Sequence, residues 1–160
     1  MRRGALALIL FLGGCPEPKA APPPPTAPVA TPARAPEVAP SDSMTPAALA
    51  AELSRPPAQR PVVLHVGFHG IYQDGHIPGA LDMGPAGTPD GLSALEAELR
   101  SLPPGREAVL YCGCCPWDHC PNIRPALALA RKLGLANVKA LAIPQSFRTD
   151  WVKPGYPVEK

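Results

Sequence analysis

Proline sets the first limit on what this chain can fold into. Eleven of its 25 prolines fall before residue 47, crowded among alanines and including Pro22-Pro23-Pro24-Pro25. A stretch of that composition buries too little apolar surface to offset the entropy of ordering it. Residues 15–43 are therefore expected to form a disordered Pro/Ala-rich tether, a semi-rigid polyproline spacer reaching roughly 3 Å per residue. Folding is left to residues 44–160, long enough for one domain with its own core.

The first residues read as a targeting signal. Arg2 and Arg3 precede the apolar run Ala5 to Leu12, and Gly13-Gly14 supply small residues at a cut site. That is the layout of a secretory signal peptide over residues 1–14, and the run is too short for a spanning helix, which needs ~20 apolar residues. Leu12-Gly13-Gly14-Cys15 resembles a bacterial lipobox. The resemblance implies that Cys15 is acylated, tying the chain to the membrane through its lipid anchor only. Pro16 follows, with no Asp there to mark inner-membrane retention, so the expected location is the cell envelope, on the outer membrane facing the periplasm. The formal net charge of +2 includes Arg2 and Arg3. Without them the basic and acidic residues balance, and no basic run remains to bind nucleic acid. The domain is expected to be a monomer.

Periodicity then gives an alternating pattern. Thr45-Pro46 suits the start of a helix over Ala47 to Leu53. Pro61 to Val66 reads as a buried strand, Gly70 to Pro78 as a loop, and Ala80 to Met83 as a second short strand. Leu92, Leu95, Leu99 and Leu102 recur at helical spacing. Ala108 to Tyr111 forms a third strand, Ile123 to Leu133 a helix closed by Gly134, with Asn122 as its N-cap, and Val138 to Ile143 a fourth strand. Strands alternating with helices predict an α/β fold, a parallel sheet with helices on both faces.

Several phrases in this order resemble the rhodanese-like domain superfamily. They are Gly75-His76-Ile77-Pro78-Gly79-Ala80, the strand ending in Tyr111-Cys112, the step from Lys132-Leu133-Gly134 to Asn137-Val138, and Trp151 before Gly155-Tyr156-Pro157-Val158. The resemblance implies a sulfurtransferase in which Cys112, at the strand end, carries a sulfane sulfur between a small sulfur donor and a thiol acceptor, with no cofactor. A strand that runs through a tight turn into a helix aims backbone N–H groups inward, which favours a thiolate or persulfide anion. The loop departs from the family's shorter form: Trp117 stands where an Arg is expected. His65 and Gly67 stand where the family commonly has Asp and Arg.

Cys112, Cys114, Cys115 and Cys120 fall within nine positions. Three readings stay open. The loop can perform persulfide or thiol-redox chemistry, with Cys112 and Cys115 as catalytic residues, Arg124 assisting the thiolate, and Cys120 bridging to Cys112 or Cys115. It can instead bind Zn or Cu(I) through Cys112, Cys114, Cys115, Cys120 and His119, which are soft or borderline ligands. Or it holds a structural disulfide, and the unit is a non-catalytic rhodanese-like interaction domain. His76 reads as a structural histidine, and His65 and His69 as background.

Overall fold

A computed structural model describes residues 38–160. The signal segment, Cys15 and the spacer up to residue 37 lie outside the described residues. Five strands form one all-parallel sheet: β1 (Ser43–Met44), β2 (Val62–His65), β3 (Leu81–Asp82), β4 (Ala108–Tyr111) and β5 (Val138–Leu141), in the order β1-β5-β4-β2-β3. Four α-helices accompany them: α1 (Pro46–Leu53), α2 (His69–Asp74), α3 (Pro89–Ser101) and α4 (Ile123–Lys132).

The alternation of side chains along each strand divides the core in two. Leu64, Ala108, Leu110, Val138 and Ala140 face α3 and α4, meeting Leu95, Leu99, Ala126, Leu127 and Ala130. Val63, Val109, Tyr111 and Leu141 face the other way, against Leu49 of α1 and the C-terminal Phe147 and Trp151. Both faces are thus covered, as the near-continuous apolar strands require.

Local chemistry explains the element ends. The Thr45 and Thr88 hydroxyls accept from Ala48 N and Gly91 N, and a proline follows each as the first helical residue. Gly134, at φ 74°, closes α4 in a Schellman turn, with Gly134 N donating to Arg131 O and Leu135 N to Ala130 O. Leu102, expected inside α3, instead takes an extended conformation, because Pro103 follows it and disfavours a helical residue there.

Two elements depart from the expectation. The segment expected as a loop from Gly70 contains α2. This short helix is held from outside itself: Tyr72 Oη donates to Ala80 O at 2.6 Å, and its ring stacks on His76 at 3.8 Å. The second is β1, an edge strand pairing Ser43 with Ala140 and Met44 with Leu141. Its Ser43, together with the 3-10 turn Pro40–Asp42, belongs to residues that the composition assigns to the end of the spacer.

Candidate functional site

The sheet order places a topological switch between β2 and β4, which are neighbours although β3 intervenes in sequence. After β2 the chain passes to the face that holds Tyr72; after β4 it passes to the face that holds α4. In an open parallel sheet this is where the strands' carboxyl ends leave a crevice for ligands. His65 ends β2, Asp82 ends β3, and Cys112 follows the last residue of β4. The residues singled out by chemistry meet at this one edge.

From Cys112 the chain turns at Gly113, whose φ of 81° suits glycine. It then passes Cys114 and Cys115, makes the 3-10 turn Trp117–His119, and reaches Cys120 before α4. Trp117 pins the turn by donating Nε1–H to Leu141 O at 2.8 Å. The four sulfurs close into a ring. Cys112 and Cys114 are 3.1 Å apart, and Cys114 and Cys115 3.2 Å. The sulfurs of Cys112, Cys114 and Cys120 all lie within 4.8 Å of one another. All four thiols are free. Cys112 and Cys120 are only 2 % and 3 % exposed, whereas Cys114 and Cys115 are half-buried.

The donors around the ring differ from the sequence expectation. The sequence predicts converging peptide N–H groups at Cys112; the amides of Asn122 and Ile123 at the start of α4 instead act on Cys120, where they lower the pKa against larger raising effects. Cys112 Sγ receives a side-chain amide, Asn122 Nδ2 at 3.3 Å. The side chain of Asn122, predicted to cap α4, makes no such bond. Its Oδ1 accepts from Gly87 N at 2.9 Å, so this 2 %-exposed residue ties the β3–α3 connection to the sulfur. It is the residue on which sequence and structure differ most. An Asn just before a helix suits a cap, and nothing local shows that its amide points elsewhere.

Burial pushes the Cys114 thiol up to about 11 and raises that of Cys115. Cys120 is raised strongly, first by its hydrogen bond to Cys112 and then by burial. These three thiols therefore keep their hydrogens near neutral pH and can donate S–H to a charge placed on the ring. Cys112, the Asn122 amide and the neighbouring thiols thus form a pocket able to solvate one sulfur anion without water.

Behind Cys112 lies a histidine arrangement made of residues that read as background in the sequence. The His65 ring, 1 % exposed, meets Cys112 O through Nε2 at 3.1 Å and Asp82 Oδ1 through Nδ1 at 2.9 Å. Asp82 also meets His69 Nδ1 at 2.5 Å and accepts from Gly84 N. Burial alone would raise the Asp82 carboxyl, but the bonds from His65, His69 and Gly84 outweigh it and hold it below the usual range. Asp82 is thus a fixed carboxylate, and His65 connects it to the backbone of Cys112. Gly67 belongs to the same arrangement. A Cβ there would lie 2.8 Å from His65 Nε2, 2.9 Å from Cys112 O and 3.1 Å from Cys112 Sγ. The two departures in the first core strand are therefore one: His65 takes the space that a side chain at 67 would need.

The remaining candidates sit farther out. His119 is exposed on its 3-10 turn, and Arg124 is half-buried in the first turn of α4. His76 is structural, as expected. Its Nδ1 bonds Tyr72 O at 3.0 Å, and its backbone forms a bridge with Glu159. In the same phrase, Ile77 N–H donates to Tyr111 Oη at 3.3 Å, fastening it to β4.

Two solved structures share this architecture. A crystal structure of the Alr3790 protein from Anabaena sp. has a TM-score of 0.55 at 24% identity, covering 72% of this chain and 81% of that one. A solution structure of the rhodanese-like domain from the same protein has a TM-score of 0.54 at 23% identity, covering 74% and 78%. At this identity the likeness speaks for the fold alone. No curated protein matches the chain. Residues 45–142, more than half the sequence and the span that holds β2 to β5 and all four loop cysteines, match the rhodanese-like domain. The chain belongs to the rhodanese-like domain family.

Proposed function

We propose that this domain is a sulfurtransferase-like protein in which Cys112 takes a sulfane sulfur from a small donor and passes it to a thiol. One observation carries the reading: a cysteine at the carboxyl end of β4, at the sheet's switch point, with Asn122 Nδ2 3.3 Å from its sulfur and other thiols around it. In the loading step the Cys112 thiolate attacks the outer sulfur of a persulfide. The S–S bond of the donor breaks, its thiol leaves, and Cys112 holds the persulfide. The Asn122 amide and the neighbouring S–H groups solvate the anion before and after transfer. Cys115, against Cys114, and Arg124, at the start of α4, modulate this chemistry, and no cofactor takes part.

The test reads the donor. Mixing reduced protein with one equivalent of a low-mass persulfide should release one equivalent of the donor's thiol, and Cys112→Ser should abolish that release. Equal release from both proteins would remove Cys112 from the role.

A second reading is favoured by the three sulfurs within 4.8 Å of one another. Cys112, Cys114 and Cys120, with Cys115 beside them, offer a thiolate-rich set for Zn or Cu(I). Elemental analysis of purified protein separates the two: one soft ion per domain favours the metal, and none favours the sulfur carrier.

The carrier works at the bacterial envelope as a monomer, held to the outer membrane by acylated Cys15 and facing the periplasm. The lipobox-like Leu12-Gly13-Gly14-Cys15 supports this. Cys15→Ala should shift the protein from the membrane to the soluble fraction; membrane association unchanged by that substitution would refute the anchor.

A further inference from the structure

We propose that Cys120 is a resolving thiol that converts the sulfur bound at Cys112 into hydrogen sulfide, so that the loop reduces sulfane sulfur as well as carrying it. The inference rests on the sulfur-carrier reading above and adds the fate of the cargo.

Three features of Cys120 point there. Its sulfur lies within 4.8 Å of that of Cys112, in the same sulfur cluster. It shares the burial of Cys112, at 3 % against 2 % exposed, so the two sulfurs sit in the same dry surroundings. And the backbone amides of Asn122 and Ile123 at the start of α4 pull its pKa down, against the larger upward effect of its hydrogen bond to Cys112 and of burial. Amides at a helix start stabilise negative charge. Placed on Cys120 they favour the developing thiolate of an attacking sulfur.

The state of Cys112 governs the step. In the reduced protein the Cys120 S–H is occupied in donating to Cys112. Once Cys112 bears a second sulfur, the negative charge moves to the outer atom. The inner Sγ becomes a disulfide-like centre, a weaker acceptor and an electrophile. Cys120 Sγ then attacks Cys112 Sγ. The bond between Cys112 Sγ and the outer sulfur breaks, and a Cys112–Cys120 disulfide forms. The outer sulfur takes the Cys120 proton as it leaves, departing as hydrosulfide, which water then protonates to hydrogen sulfide. Two thiol-level sulfurs are oxidised by one electron each, and the sulfane sulfur gains both electrons. The net change is Cys–S–S⁻ plus Cys–SH giving Cys–S–S–Cys plus hydrosulfide, in protonation equilibrium with hydrogen sulfide. Returning the loop to its reduced state takes two electrons and two protons from an external dithiol, by ordinary thiol–disulfide exchange.

The experiment loads the reduced full-length protein with one equivalent of low-mass persulfide, without added thiol, and follows sulfide release and intact mass together. The wild type should release one equivalent of hydrogen sulfide and end two hydrogens lighter. Cys120→Ser, and Cys120→Ala should serine be poorly tolerated at a buried site, should keep the added sulfur and release sulfide at least tenfold more slowly. Cys114→Ser removes a neighbour of Cys112 but keeps the resolving thiol, so once loaded it should still release its one equivalent of sulfide and end two hydrogens lighter. The inference is overturned if the wild type holds its persulfide as long as the Cys120 variants do. It is also overturned if Cys114→Ser, rather than Cys120→Ser, traps the sulfur. Failure of every protein to displace the donor's thiol is a separate outcome, and it overturns the carrier reading together with this one.

Discussion

Asn122→Ala should slow sulfur uptake at Cys112 by about 10- to 100-fold and destabilise the domain by ~2–3 kcal/mol. The side chain makes two bonds from a nearly sealed position, Nδ2 to Cys112 Sγ at 3.3 Å and Oδ1 from Gly87 N at 2.9 Å. Alanine keeps neither. A hydrogen bond to a charged partner contributes ~1.5–3 kcal/mol. Every ~1.4 kcal/mol lost from the anionic sulfur is a factor of ten in rate if the bond persists in the transition state. The Gly87 amide, left without Oδ1 in a part-buried setting, accounts for ~1–3 kcal/mol of the stability loss. Uptake should be measured well below the unfolding midpoint, so that lost stability does not pass for lost chemistry. A variant with full uptake and reduced stability would show that Asn122 fastens the β3–α3 connection and does nothing for the sulfur.

Gly67→Ala should have a comparable effect from the opposite side of the site. The added methyl would meet Cys112 O at 2.9 Å, and that atom is backbone at the end of a central strand. It would also meet His65 Nε2 at 2.8 Å, and turning the ring away breaks its bonds to Asp82 and Cys112 O. Overpacking of this kind costs ~1–3 kcal/mol, and the strain falls on the residues that fix the nucleophile. Displacements near 1 Å at a reacting centre can cost about 100-fold in rate. Thermal unfolding and donor-thiol release, measured on the same preparation, check both parts. A variant with wild-type stability and uptake would mean that His65 and Cys112 move apart freely, and that the Asp82–His65 connection does not position the sulfur.

These residues also mark where the sequence is readable and where it is not. The sheet is legible because Pro61 to Val66, Ala108 to Tyr111 and Val138 onward are apolar runs separated by helical spacing, and buried parallel strands leave that imprint directly. Thr45-Pro46 and Gly134 are legible because caps act through the local backbone. Strand β1 is not, since two residues carry no period and their pairing with β5 is decided elsewhere. Helix α2 is hidden because Tyr72 is secured by Ala80 O and the His76 ring rather than by propensity. At the site, the position of Cys112 follows from the strand that ends beside it. Its surroundings do not. Which donor reaches which sulfur depends on how the loop doubles back at Gly113, and that path brings the Asn122 side chain, rather than peptide N–H groups, to Cys112. His65 looks like background because a histidine in an apolar run is ambiguous until its two ring partners are in place.

The most direct measurement of the account is the address of the sulfur. Cys120→Ser protein, loaded with one equivalent of persulfide and digested after blocking free thiols, should yield the added sulfur on Cys112 alone, with Cys114 and Cys115 blocked and unmodified. Sulfur recovered on Cys114 or Cys115 while Cys112 is found blocked would contradict it, because the cysteine at the end of β4 would then not be the carrier.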